Sequence, residues 1–186
     1  MSAATDPPKY ARVERERRFL LSGLPNGDIL RVRHITDHYI IGTTLRLRQQ
    51  KDEDGSVLFK LSQKISQPGP GFEQGWITTI LVTEDEFQVL ASLPSRPLRK
   101  TRLSIPPFGI DVFEGPLEGL VLAEAEFDSI AEAANLAIPT SLLHEVSMDR
   151  RFTGGELARA SREEVTSWLA EFRIPMPDGG RPSPLL

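Results

Sequence analysis

The chain contains no cysteine. That excludes a disulfide scaffold, a cysteine nucleophile and a thiolate metal site. It also lacks any apolar run near the ~18 residues needed to cross a bilayer. Residues 1–9 hold no hydrophobic segment like that of a secretion signal. A cytoplasmic protein with no membrane partner is therefore expected. Positive charge is not in excess: 22 Lys and Arg against 26 Asp and Glu give a formal net charge of −4. That argues against a dedicated nucleic-acid partner but leaves room for a local basic site. Internal repeats and inter-domain linkers are missing too. What remains, 186 residues with 39% hydrophobic and 26% charged content, suits one soluble domain over residues 10–173, with 1–9 and 175–186 as flexible termini.

The order of elements is mostly β. Tyr10–Leu21 reads as a strand closed by the turn-rich stretch Ser22 to Gly27, and Ile29–Ile41 reads as extended chain broken at Gly42. Leu45–Gln49 alternates strictly, Asp54-Gly55 signals a hairpin, and Val57–Lys64 alternates again. The proline- and glycine-rich Gln67–Gly75 reads as a mobile loop before a strand over Trp76–Val82. Thr83 and Glu86 make a capping box for a short helix carrying Phe87, Leu90 and Ala91. Strands are expected over Arg99–Ile105, Gly109–Glu114 and Leu120–Phe127, then a capped helix over Ile130–Leu136 and an extended piece at Glu145–Met148. A last helix is expected over Gly155–Arg173, with Val165, Trp168, Leu169 and Phe172 as its apolar stripe.

Side chains two apart on a strand share a face. Glu14, Glu16 and Arg18 therefore line up, and the same spacing recurs in Arg46/Arg48, Lys60/Lys64, Lys100/Arg102 and Glu124/Glu126. Any one of these is an ordinary solvated sheet face. Together they fit two arrangements: an open sheet with its charges outward, or a barrel with its charges around a water-filled passage. The kinds of charge narrow the chemistry. Crowded arginines and lysines repel unless an anion bridges them, and the guanidinium fork suits phosphate oxygens. Glu14, Glu16, Glu124 and Glu126, with Asp111 beside them, are hard oxygen ligands of the kind Mg²⁺ or Mn²⁺ takes alongside substrate phosphates.

Glu14-Arg15-Glu16-Arg17-Arg18 resembles the Glu-x-Glu-x-(Lys/Arg) signature of the CYTH superfamily, the triphosphate tunnel metalloenzymes. Gly42–Arg48, Phe59–Lys64, Lys100–Arg102, Ile110–Leu117, Leu122–Phe127 and Glu145–Phe152 resemble family segments in family order. The resemblance implies an α+β fold: a closed, mostly antiparallel eight-stranded β-barrel with flanking helices. It further implies divalent-metal-dependent hydrolysis of triphosphate compounds, with inorganic triphosphate as the small-molecule partner and some nucleoside triphosphates accepted. A homodimer is one expectation for the assembly.

Carried over, Glu14, Glu16, Glu124, Glu126 and Asp111 would hold metal, and Arg18, Arg46, Arg48, Lys60, Lys64, Lys100, Arg102 and Arg150 would hold phosphates. Tyr39 and Lys64 would position the attacking water; Lys64 as a base would need a depressed pKa. The chain departs from the family pattern in two places: arginine at position 18 where lysine is commoner, and no glutamate in Trp76–Leu81 where many relatives carry them. The second departure leaves part of the metal site unaccounted for. An adenylate cyclase or thiamine triphosphatase of the same fold, and a non-catalytic polyphosphate or nucleotide sensor, are the rival readings. His34 and His38 on an extended segment make a poor zinc pair, and Gly69-Pro70-Gly71 with Gly75 has no strand-to-helix context for a dinucleotide.

Overall fold

The alternation on these strands lines a closed surface. In the computed structural model, residues 7–67, 71–139 and 144–176 are described. They form strands β1 (Arg12–Leu21), β2 (Arg31–Ile40), β3 (Leu45–Asp52), β4 (Val57–Gln67) and β5 (Glu73–Leu81), then helix α1 (Glu84–Ala91). Next come β6 (Ser95–Ile105), β7 (Phe108–Phe113), β8 (Val121–Glu126), α2 (Ile130–Ala134), the two-residue β9 (His144–Glu145), α3 (Gly154–Leu157) and α4 (Arg162–Glu171). Neighbours run β5-β4-β3-β2-β6-β7-β8-β1, and β1 pairs back onto β5 from Arg12↔Ile77 to Glu16↔Glu73. Eight antiparallel strands thus close into a barrel, with no free edge between β1 and β5. β9 adds outside the ring, against Phe19 and Leu20. No described helix is long and apolar enough to cross a membrane.

β1 shows how the two faces are used. Phe19 and Leu21 face outward and pack with Leu103, Phe108, Ile110 and Val121. Glu14, Glu16 and Arg18 face inward, and so does Leu20, where the inner face turns apolar. Leu20 packs with Leu98, Phe113 and Leu122 from the barrel and with Phe152, Leu157, Val165 and Leu169 from the C-terminal segment. Full burial of a Leu, Val or Phe side chain contributes ~1.5–3 kcal/mol. The C-terminal segment is therefore firmly held over one end of the barrel.

Several boundaries differ from expectation. β5 begins at Glu73, inside the stretch that reads as a loop, although residues 68–70 lie outside the described residues. Gly75, which reads as a loop breaker, is an in-strand residue: a Cβ there would stand 3.0 Å from the Ile65 carbonyl oxygen, so glycine permits the close approach of β4. The expected last helix is two helices. Ser161 accepts a hydrogen bond from the Glu164 N–H while Glu164 accepts from the Ser161 N–H, and this capping box starts α4 afresh after α3. Val165 and Leu169 of the stripe are buried, with Trp168 and Phe172 packed beside them. α2 stops at Ala134 rather than Leu136, and Glu132 accepts from Asp128 instead of closing a box with Ser129. The box at Thr83 and Glu86 is present. Ile174 is buried and Met176 packs on the core, so order runs past Pro175; residues 1–6 and 177–186 of the expected flexible termini lie outside the described residues.

Candidate active site

The inward charges share one cavity of about 600 Å³. Its lining includes Glu14, Glu16, Arg18, Tyr39, Arg46, Arg48, Lys64, Lys100, Arg102, Glu124, Glu126 and Arg150, which is every expected site residue except Lys60 and Asp111. Carboxylates and cations of the lining come mostly from different strands. Carboxylates come from the contiguous strands β8 (Glu124, Glu126), β1 (Glu14, Glu16) and β5 (Glu73). Cations come from β3 (Arg46, Arg48) and from β6 (Arg96, Lys100, Arg102), the last of these next to Glu124.

On the acidic wall, three carboxylates converge on one ammonium. Lys64 Nζ stands 2.9 Å from Glu14, 3.0 Å from Glu16 and 3.1 Å from Glu73. Arg18, almost fully buried, pairs with Glu16 at 3.2 Å and with Glu73. The backbone holds Arg18 in place: its N–H donates to Ser147 Oγ at 3.0 Å, its carbonyl accepts from Val146 at 2.8 Å, and its guanidinium donates to the Phe152 carbonyl at 2.8 Å. Burial works against the Lys64 ammonium, but Glu16 and Glu14 outweigh it and raise its pKa. These contacts favour the charged ammonium, the opposite of the depressed value that a lysine base requires. Glu126 opens to water in the lumen, yet desolvation by the surrounding wall and repulsion from Glu14, Glu16 and Glu124 raise its pKa against the pull of Arg102.

These carboxylates have the chemistry a divalent cation requires: hard anionic oxygens, close together, with like charges in excess at Glu126. Among the described residues no three acidic or histidine side chains stand as a ready-made ligand set. Lys64 and Arg18 occupy Glu14, Glu16 and Glu73 instead. Asp111 is fully buried behind the lining, where Lys100 and Arg102 both hold it, Arg102 Nε at 2.5 Å. Arg102 also reaches Glu124. Burial would raise the Glu124 carboxyl, but Arg102, Lys100, Arg18 and Lys64 prevail and hold it far below the carboxylate range. Lys60 lies beside Arg48 in the β3–β4 register, and burial together with Arg48, Arg33, Arg46 and Arg12 lowers its pKa.

On the opposite wall Asp37, fully buried, accepts from Arg48 Nε at 2.6 Å and Nη2 at 2.8 Å, with Arg46 at 3.7 Å. Arg46, Tyr39 and Arg96 are register neighbours across β3, β2 and β6. Burial, then the charge of Asp37, pushes the Tyr39 hydroxyl up to about 12 against Arg46 and Arg48, so it is neutral at physiological pH. Tyr39 lies under α3: a Cβ on Gly154 would stand 2.0 Å from its hydroxyl oxygen. Gly154→Ala is accordingly expected to destabilise the fold by about 1–3 kcal/mol through overpacking and to displace Tyr39. Denaturant unfolding checks the first effect; an unchanged midpoint would show that the two groups do not press on each other.

No family model matches the chain. Over 154 residues it is 32% identical to a Nitrosomonas europaea protein named inorganic triphosphatase, a match covering 78% of this chain and 96% of that protein. The chain belongs to the triphosphate tunnel family, among its short inorganic-triphosphatase-like members. Two crystal structures are similar in fold, both at 26% identity. One, of a hypothetical protein, has a TM-score of 0.53 and covers 80% of this chain and 99% of that one. The other, of an inorganic triphosphatase, has a TM-score of 0.52 and covers 79% and 95%.

Glu73, Arg96 and Arg159 line the cavity of this family member and Asp37 stands behind it, and the sequence singles out none of them. Glu73 shares parity with Gly75 and Ile77, so counting back from the Trp76–Leu81 strand reaches it. It is a carboxylate on the strand whose sequence looks bare of them. Asp37 shares parity with Tyr39, two residues on.

Proposed function

We propose that this chain hydrolyses inorganic triphosphate to orthophosphate and diphosphate with the help of Mg²⁺ or Mn²⁺. The observation that carries the reading is one cavity that brings carboxylates from β8, β1 and β5 together with an excess of arginines and lysines, mostly from β3 and β6. The similarity to an inorganic triphosphatase points the same way. Glu14, Glu16, Glu73, Glu124 and Glu126 would hold the cation, which when bound supplies charge neutralisation at the phosphate oxygens.

Arg46, Arg48, Lys100, Arg102 and Arg150 clamp the phosphate chain, with Arg18 and Lys64 beside the carboxylates. Water attacks the terminal phosphorus and gives up its proton to a phosphate oxygen, the P–O bond to the diphosphate breaks, and the diphosphate leaves with its charge held by these cations. Phosphoryl transfer asks little covalent chemistry of a protein, so preorganised positive charge in a partly dry cavity supplies most of the catalysis. Tyr39, neutral at pH 7, donates a hydrogen bond to the water or to a phosphate oxygen. Asp111 acts as a positioning residue: it holds Lys100 and Arg102 in place and has no oxygen in the lumen. Lys60 contributes charge from beside Arg48.

The test is phosphate release from triphosphate, pyrophosphate, ATP and thiamine triphosphate, each with Mg²⁺ or Mn²⁺. Triphosphate is expected to turn over fastest, with activity abolished by EDTA and restored by the metal. Tight triphosphate binding without turnover would replace the enzyme with a sensor. Preference for ATP or thiamine triphosphate would replace the substrate.

A further inference from the structure

Arg17 and Arg18 are neighbours on β1, and a single hydroxyl links them across the barrel wall. Arg17 shares the outward parity of Phe19, while Arg18 faces the cavity. β5 accompanies β1 only as far as the Glu16↔Glu73 pair; beyond it that edge belongs to β9, with Phe19↔Glu145. Arg18 stands at the changeover, and its N–H donates to Ser147 Oγ at 3.0 Å in place of a ladder carbonyl. Ser147 is buried and donates its own hydrogen to Glu145 Oε1 at 2.6 Å. Outside the ring, Glu145 accepts from Arg17 Nε at 2.9 Å and from Nη2 at 2.6 Å. The same guanidinium donates to the Ala133 carbonyl in α2, 3.1 Å away. Arg17 and, after it, Ser147 hold the Glu145 carboxyl below its usual range against desolvation, so the carboxylate accepts and the hydroxyl donates.

We propose that Ser147 is a positioning residue for the reaction: oriented by the Glu145–Arg17 pair outside the ring, its hydroxyl fixes β1 at Arg18, and with it the guanidinium that gathers Glu16 and Glu73 on the acidic side of the cavity. The proposal rests on the triphosphatase reading of that cavity. Ser147 lines the cavity, but its one hydrogen is committed to Glu145, so it has none to give a phosphate oxygen. What it governs is Arg18. The Arg18 Nη1 donates to the Phe152 carbonyl at 2.8 Å, Nε stands 3.2 Å from Glu16, and Nη2 pairs with Glu73. Without the hydroxyl the buried Arg18 N–H loses its partner, and the bond from the Val146 N–H to the Arg18 carbonyl is left to hold that edge of the strand. Movement of Arg18 then carries both carboxylates with it.

The experiment measures triphosphate turnover and, separately, Mn²⁺ affinity by calorimetric titration without substrate, for the wild type, Ser147→Ala and Ser147→Thr. Ser147→Ala is expected to lower kcat about tenfold and to weaken Mn²⁺ binding by a similar factor, the low end for a group that acts through the partners of metal-holding side chains. KM for triphosphate should stay within about twofold, since the arginines of β3 and β6 are untouched. Ser147→Thr keeps the hydroxyl and should bring kcat and Mn²⁺ affinity back to within about threefold of the wild type. A Ser147→Ala protein that unfolds at lower urea yet, while folded, keeps the wild-type kcat and Mn²⁺ affinity would overturn the proposal and leave Ser147 a purely structural part. A threonine variant folded as firmly as the wild type but as impaired as the alanine variant would overturn it too. Should Ser147→Ala fold poorly, Glu145→Gln leaves the hydroxyl in place and removes the charge that orients it. That variant is expected to lower kcat and Mn²⁺ affinity about threefold, and no change in either would count against the proposal as decisively. A wild type that releases no phosphate from triphosphate would remove the triphosphatase reading, whereas failure of the Ser147 role is read against an active wild type, so the two are distinguishable.

Discussion

Glu73→Gln is expected to lower triphosphate turnover by about 100-fold or more, the same order as Glu16→Gln, and to weaken metal binding by a similar factor. The reason is geometric. Glu73 is one of three carboxylates that meet at Lys64 Nζ, and it also pairs with the buried Arg18. Glutamine keeps the volume and the hydrogen-bonding oxygen, so Glu16 can still neutralise Arg18 and the fold should survive, as circular dichroism would verify. What disappears is one negative charge from the wall that would hold the cation. Phosphate release measured against Mg²⁺ or Mn²⁺ concentration reads the catalytic effect, and calorimetric titration of the metal reads the binding effect without turnover. Unchanged metal affinity together with unchanged turnover would remove Glu73 from the site and leave the acidic wall to β1 and β8.

Glu73 also shows what alternation can and cannot convey. Period-two spacing shows the inward face most plainly on β8, where Glu124 and Glu126 alternate with Ala123 and Ala125, and at Leu45–Arg48 of β3; β1 and β6 carry charge on both faces, at Arg15, Arg17 and Arg99, and are read only from the recurrence of the pattern. Closure is not legible, since it depends on β1 meeting β5 some sixty residues along the chain, and alternation says which face a residue takes but not whether the sheet closes. The β5 glutamate is hidden by Gly75, whose loop-breaking signal outweighs the strand signal until the close approach of β4 explains the glycine. Asp37 is hidden differently: Thr36, Asp37, His38 and Tyr39 are polar on both faces, so no parity stands out. Asp111 has the expected face, but Lys100 and Arg102 claim it behind the lining. That is a pairing between strands, invisible along any one of them.

Asp37→Asn should produce the largest loss of stability among single changes at the site. The carboxylate is fully buried and holds Arg48 through two hydrogen bonds, with Arg46 beside it. Neutralising it leaves two guanidiniums facing each other with no counter-charge, and removing one partner of a buried pair typically costs ~3–5 kcal/mol. The pH dependence follows from the same contacts. Burial alone would raise the Asp37 carboxyl, but Arg48, then Arg46, outweigh it and hold the folded-state pKa well below the ordinary value; Glu124 is shifted in the same direction by Arg102 and Lys100. A group depressed on folding contributes stability that is fully present above its unfolded pKa, ~3.9 for Asp and ~4.3 for Glu, and lost as pH falls through that value towards the folded one. The wild type is therefore expected to lose stability steeply below about pH 4.5. Asp37→Asn should start lower at pH 7 and fall less steeply, because one of the protonations that favour the unfolded chain in acid no longer occurs. Urea unfolding between pH 7 and pH 3 measures both. If the variant matched the wild type at pH 7 and followed the same acid slope, Asp37 would not be anchoring the arginines. The arginines of β3 would then have to be ordered by a bound anion rather than held in place beforehand.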